Sequence, residues 1–259
     1  MRIFRTVFKY IVHFFSARNT GGFSVHSPFV FKFTRFVLCE KNVYYIFQQI
    51  ENTRSKLKEN HKLLNIEDFG TGLDRIVPIS SIAKKALKSA KYGQLLFRIA
   101  NYFKVRNVLE LGTSLGVTTA YLSTSSTEIN CVSLEGSPQI ATIAKENLQK
   151  LGIENVEIVV GNIDKTLEAV LSQLDKLDLI FLDANHRYES VLNYFDLCLS
   201  YIHNDSVMII DDIYWSVEME NAWTKIKNHP QVSTTIDLFQ LGIVFFNADL
   251  YKNHYKMRY

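Results

Sequence analysis

Three aspartates and a histidine close two strongly apolar runs, and they offer the plainest chemistry in this chain. "LDLIFLDA" (177–184) ends on Asp183 and leads into Asn185-His186-Arg187-Tyr188-Glu189. "SVMIIDDI" (206–213) ends on Asp211-Asp212. In an open α/β sheet, ligands gather outside the carboxyl ends of the strands. Two such strand ends would bring these side chains to one rim. Hard carboxylate oxygens in this number suit Mg²⁺, Mn²⁺ or Ca²⁺, so Asp183, Asp211 and Asp212 are candidate metal ligands. In the plainer alternative, Asp183 and Asp212 cap helices and His186 makes a structural hydrogen bond. Adjacent carboxylates at a buried strand end are costly without a cation or donors, which favours the metal.

A second constellation lies upstream. Glu110-Leu111-Gly112-Thr113-Ser114-Leu115-Gly116 follows the apolar run "NVLELG" (107–112) and precedes the helical pattern "VTTAYLS". Glycines at such a turn let a ligand approach the backbone, and the next helix offers free N–H groups. A dinucleotide fingerprint would need glycines where Gly112, Ser114 and Val117 stand, so that reading fails. The run "INCVSLE" (129–135) ends on Glu135, 23 residues after Gly112. An acidic residue there can accept hydrogen bonds from both hydroxyls of a ribose. Gly136 beside it leaves room for a flat base, and Gly161-Asn162, ending "VEIVVG" (156–161), is a candidate contact for the base edge. As isolated features, each of these has a plain loop reading.

The elements that must position these residues follow from periodicity. Five strand-like runs alternate with helical patterns from residue 89 onward, which implies a mostly parallel sheet covered by helices. Ser137, Pro138 and Gly152 mark the start and stop of one helix. "TTIDLFQLGIVFFN" (234–247) holds two strand-like runs around a short turn, which should pair antiparallel. Residues 78–103 read as one or two helices broken near Gly93, and "EDFGTGLDR" (67–75) as a glycine-bearing loop. The expected fold is α/β: a Rossmann-like, seven-stranded, mostly parallel sheet with a C-terminal antiparallel hairpin and an N-terminal helical cap. Residues 1–77 would form the basic, aromatic-rich cap and loop, and residues 78–259 the Rossmann-like domain.

Composition narrows the function classes. Three widely spaced cysteines, Cys39, Cys131 and Cys198, give neither a disulfide framework nor a zinc site and suit a reducing cytoplasm. No run reaches the roughly 20 apolar residues of a membrane span. The net charge of +3 hides an asymmetry, because residues 1–62 hold eleven Lys/Arg against three Asp/Glu. Arg2, Arg5, Lys9 and Arg18 stand beside Phe4, Phe8, Phe14 and Phe15. That pattern fits a cap packing its aromatic side on the core, a homodimer contact, or peripheral membrane contact by residues 1–18; packing or oligomerisation is the favoured reading. No recognisable DNA or RNA module appears.

"KYGQLLFRIANYFKVRNVLELGTSLGVTTAYLS" followed by "SLEGSP" resembles the class I S-adenosylmethionine-dependent methyltransferases of the catechol and caffeoyl-CoA O-methyltransferase group. The resemblance implies a cofactor site on Glu110, Gly112, Thr113, Ser114, Gly116, Glu135, Gly136, Asn162 and Asp183. It also implies a metal on Asp183 and on Asp211 with Asp212, and a base at His186. Here Asp212 replaces the group's asparagine and His186 its lysine. "LDANHRYESV" is similar to the D-x-x-H-x-Y-E stretch of metal-dependent macrolide-sugar O-methyltransferases. "HSPFVFKF", "NHRYES" and "TIDLFQLGIVFF" together resemble an uncharacterised Bacteroidetes-type methyltransferase family, which brings no substrate with it. The implied reaction is O-methylation of a small hydroxylated acceptor, with Asp183 and His186 catalytic. A metal-independent N- or carboxyl-methyltransferase and a non-catalytic scaffold on the same fold remain alternatives.

Overall fold

A computed structural model describes residues 2–66 and 75–259, so most of the glycine-bearing loop expected at 67–75 lies outside the described residues. The chain is mixed α/β and divides into two compact units, one of residues 1–40 with 174–259 and one of residues 41–173.

The first unit opens with α1 (Arg2–Ser16) and α2 (Pro28–Phe33), the latter capped by Ser27, whose side chain accepts the Val30 N–H. The basic side of α1 faces the protein. Arg5 pairs with Glu220, Lys9 Nζ lies 3.0 Å from Glu220 Oε2, and His13 Nε2 lies 3.0 Å from Asp237 Oδ1. The aromatic side faces solvent instead, with Phe4 83%, Phe8 64% and Phe15 79% exposed. This overturns the expectation that the helix packs by its aromatic side. Fixed carboxylates on the body select the polar face.

The second unit carries α3 (Tyr45–Glu59), the antiparallel pair β1 (Leu63–Ile66) and β2 (Arg75–Pro78), then α4 (Ile79–Lys85) and α5 (Ala90–Phe103). The break between α4 and α5 falls at residues 86–89, not at Gly93, which lies inside α5. Gly93 is there for packing. A Cβ at this position would come within 2.5 Å of the Tyr121 ring.

Beyond α5 come β3 (Asn107–Leu111), α6 (Val117–Ser123), β4 (Asn130–Glu135), α7 (Pro138–Lys150), β5 (Val156–Val160) and α8 (Ile163–Leu171). β3 pairs with β4 and β4 with β5, both parallel. Residues 108–111 and 131–134 are buried, as expected of strands covered on both faces. α7 starts and stops as its sequence says: the Ser137 side chain accepts the Ile140 N–H, Pro138 opens the helix, and Gly152 follows with φ of 69°. Phe47, Phe97, Leu115, Tyr121 and Ala144 belong to the core of this unit.

The rest of the first unit holds β6 (Leu179–Leu182), α9 (Tyr188–Cys198), β7 (Val207–Asp211), α10 (Val217–Lys227), β8 (Thr234–Asp237), β9 (Leu241–Phe245) and β10 (Asn253–Lys256). β6 and β7 run parallel, and β9 lies antiparallel to both β7 and β8. β10 runs parallel to β8, a strand beyond the seven expected. Its "NHYK" buries only Tyr255 and so carries no strand-like apolar pattern. In β6, β7, β8 and β9 every residue is buried.

Candidate functional site

The candidate residues divide between the two units, and each set has its own geometry. In the unit of residues 41–173, β3 delivers its chain into the turn 112–116. Gly112 takes φ of 103° and Gly116 φ of 78°, backbone that a side chain at either position would strain. A Cβ on Gly116 would also lie 3.2 Å from the Ala144 Cα, so this glycine lets the turn rest on α7. Ser114, at φ of 49°, shares the left-handed conformation.

Glu135 closes the turn from the neighbouring strand. Its Oε2 accepts the Ser114 N–H at 2.8 Å and its Oε1 accepts the Ser137 N–H at 2.9 Å. Burial pushes its carboxyl pKa above the usual range, while N–H groups of Ser137, Ser114 and Gly136 counter that rise. A carboxylate oxygen can accept more than one hydrogen bond, so acceptor capacity remains for a ligand hydroxyl.

Glu110 is placed differently from Glu135. It is fully buried, and its Oε2 accepts the Ser133 hydroxyl at 2.6 Å and the Thr119 hydroxyl. Burial raises its pKa to about 8, against the hydroxyls of Ser133 and Thr119, which lower it. Thr113 is buried too, and its hydroxyl meets that of Ser133 at 2.5 Å. The Ser133 hydroxyl thus links Glu110 with Thr113 inside the protein. Ser133 and Thr119 escaped the sequence reading, although a polar residue inside the apolar run "NCVSLE" was a usable signal. Asn162 caps α8, its Oδ1 accepting the Asp164 N–H at 3.0 Å.

In the other unit, β6 and β7 run parallel and end at Leu182 and Asp211. Ligand atoms of Asp183, His186 and Asp211 all lie within 4.8 Å of one another. Asp211 is fully buried, and His186 Nε2 lies 3.5 Å from Asp183 Oδ1. The imidazole reaches this position through an unusual backbone, with φ of 60° at Asn185 and 34° at His186. Such strain persists only where the surroundings hold it. Here the Asn185 side chain donates to the Tyr194 hydroxyl, the His186 N–H bonds the Ala184 carbonyl at 2.8 Å, and Glu218 accepts the Tyr188 N–H at 3.1 Å.

Asp212 is not one of the three residues that converge. β7 ends at Asp211, and Asp212 follows it on left-handed backbone with φ of 51°. Two carboxylates and an imidazole with this spacing fit a divalent cation, since each offers one donor and the acidic pair needs a counter-charge. Trp215 lies beside the histidine, ring centroids 6.3 Å apart. Tyr214 turns elsewhere: its hydroxyl donates to Asp237 Oδ2 at 2.6 Å and its ring stacks on Phe239 at 5.2 Å. It is therefore a packing residue in this structure.

These strands and turns can be set against known proteins. Residues 109–213 match a methyltransferase domain family. The match begins just before Glu110 and runs to just past Asp212, so it includes both constellations. The chain is 32% identical to a catechol O-methyltransferase of Mycobacterium tuberculosis over 127 residues, 48% of this chain and 56% of that protein. It is 27% identical to a catechol O-methyltransferase of Niastella koreensis over 128 residues, 48% of this chain and 57% of that protein. The chain thus spans about half the length of the curated relatives it matches.

Among solved structures, an O-methyltransferase from Bacillus cereus in complex with SAH superposes with a TM-score of 0.57 at 20% identity, covering 83% of this chain and 96% of that one. The O-methyltransferase TomG from Streptomyces achromogenes, in complex with SAM, gives 0.59 at 15% identity, covering 83% and 95%. These likenesses show the Rossmann-like α/β fold. The resemblance drawn from "ELGTSLG" and "SLEGSP" holds.

Proposed function

We propose that this protein is an S-adenosylmethionine-dependent O-methyltransferase that acts on a small hydroxylated acceptor with the help of a divalent metal. The observation that carries the reading is the convergence of Asp183, His186 and Asp211 within the segment that matches a methyltransferase domain. The catechol O-methyltransferase names of the relatives support oxygen as the acceptor atom. The SAM- and SAH-bound neighbours support the cofactor.

Each residue then has a task. Glu135 offers its remaining acceptor capacity to the ribose hydroxyls, and the 112–116 turn lets the backbone approach the cofactor, with Ser114 supplying part of that wall. Gly136 and Asn162 stand where the base would lie. Glu110 and Thr113 hold the turn in shape. Asp183 and Asp211 hold the cation and orient the acceptor. When bound, a divalent cation lowers the pKa of an acceptor hydroxyl, and the sulfonium makes its methyl group electrophilic. His186 Nε2 takes the hydroxyl proton as general base, since a neutral imidazole accepts protons near neutral pH.

A second assignment for His186 rests on its place among the three converging donors. There it ligates the metal, which shifts preference towards ions that accept imidazole, such as Mn²⁺. The chemistry belongs on this reading to residues 78–259, in a cytoplasmic protein with a small-molecule partner and no nucleic acid.

Calorimetric titration with S-adenosylhomocysteine, before and after EDTA, tests the cofactor site. Micromolar binding that survives EDTA is expected, and no binding in either condition overturns the reading. Turnover of a catechol panel should then depend on Mg²⁺ or Mn²⁺ and vanish in Asp211→Asn with cofactor binding retained. EDTA-indifferent turnover would favour the metal-independent alternative. Measuring Mn²⁺ affinity of His186→Ala separates base from ligand, because only loss of a ligand weakens it.

A further inference from the structure

α1 displays its apolar face to solvent. Phe4, Val7, Phe8, Ile11 and Phe15 recur at helical spacing on one side, and all are exposed. The opposite side is fastened down through Arg5, Lys9 and His13. A solvent-facing aromatic stripe of this kind marks an interaction surface, because soluble proteins rarely leave one uncovered.

The charge of the segment that carries this stripe points to what covers it. Residues 1–39 contain six Lys/Arg and no Asp or Glu. Arg5 and Lys9 are spent on Glu220, but Arg18, Lys32 and Arg35 are exposed, as are Phe23 and Phe36. A two-fold contact between copies would set the same patch against itself, and here that would oppose like charge to like charge. An anionic bilayer instead neutralises the cations while its interfacial zone takes up the phenylalanine rings. We infer that residues 2–36 form a peripheral docking surface for anionic membranes, with the aromatic face of α1 as its inserting element. The inference stands apart from the catalytic reading.

Co-sedimentation of the full chain with vesicles tests it. Phosphatidylcholine vesicles with about a third phosphatidylglycerol should bind the protein at least about tenfold more strongly than pure phosphatidylcholine, since each cation near an anionic surface adds on the order of fivefold. Raising the salt should reverse that gain. The triple variant Phe4→Ser, Phe8→Ser, Phe15→Ser should lose binding while keeping its melting temperature and its affinity for S-adenosylhomocysteine, because these side chains are exposed. Equal binding to both vesicle types, or unchanged binding by the triple variant, overturns the inference. So does sedimentation equilibrium showing a dimer that the triple variant dissolves, with no vesicle binding by the parent chain.

Discussion

Glu135 Oε2 accepts the Ser114 N–H at 2.8 Å, tying the end of β4 to the turn that follows β3. One carboxylate thus fixes the shape of the turn and faces the place proposed for the ribose. Replacing it with alanine removes both functions, whereas glutamine keeps an oxygen acceptor and loses the charge. Glu135→Ala should lower stability by about 1–3 kcal/mol and abolish detectable S-adenosylhomocysteine binding. Glu135→Gln should fold nearly normally and bind about tenfold more weakly. Calorimetry alongside urea denaturation separates the two effects, and full-strength binding by Glu135→Ala would remove this residue from the cofactor site.

Gly116 makes a purely steric prediction. At φ of 78°, with Ala144 3.2 Å from any added Cβ, alanine meets both strain and a clash. Gly116→Ala should cost about 2 kcal/mol, read as a lower urea midpoint at unchanged slope. A variant as stable as the parent would show that α7 yields to the turn.

Glu110 predicts a pH dependence. Its carboxyl titrates near 8 in the folded chain and near 4.5 when exposed, so the folded state holds the extra proton between those values. Its contribution is fully present below pH 4.5 and is lost as pH rises through about 8. Stability should therefore fall across this window by at most about 1.4 kcal/mol per pH unit. Glu110→Gln, uncharged throughout, should flatten that part of the profile. Denaturation series at pH 5, 6, 7 and 8 on both proteins provide the comparison, and parallel curves would refute it.

Asp237 behaves in the opposite sense. Burial pushes its carboxyl up, but hydrogen bonds from His13 and Tyr214, the charge of His13 and the Phe239 N–H outweigh burial and hold it below the usual range. Its contribution is present above the ordinary carboxylate range and is lost as pH falls through its folded value. His13→Ala removes one of the donors to this buried carboxylate while Tyr214 and Phe239 keep theirs, which should destabilise the chain by about 1–3 kcal/mol. Asp237→Asn combined with His13→Ala should recover part of that loss, as a double-mutant cycle would show.

What the sequence made legible was local. The β/α alternation, the Ser137-Pro138 start of α7 and the Gly112–Gly116 turn all depend on near neighbours. The misses depend on distant ones. Gly93 sits mid-helix because the Tyr121 ring needs the space, and β10 is a strand because β8 offers it an edge. Amphipathicity showed that α1 has two faces, yet partners far along the chain, Glu220 and Asp237 among them, decide which one turns inward. At the candidate metal site, donor atoms of Asp183, His186 and Asp211 come within 4.8 Å of one another, while Asp212 follows the end of β7 on left-handed backbone that the apolar run did not announce.

The unit built from residues 1–40 and 174–259 is discontinuous in the chain, and this sets an order of events during synthesis. His13 meets a residue 224 positions later, and Thr20 bonds one 238 positions later. At roughly 5–20 residues per second, α1 leaves the ribosome tens of seconds before its partners exist. Through that interval the segment 41–173 can complete its own contacts, while the aromatic stripe and the cations of α1 both lie open. The nascent chain therefore exposes its stickiest helix well before the residues that fasten it, which makes this segment the natural client for a chaperone or a membrane surface during synthesis.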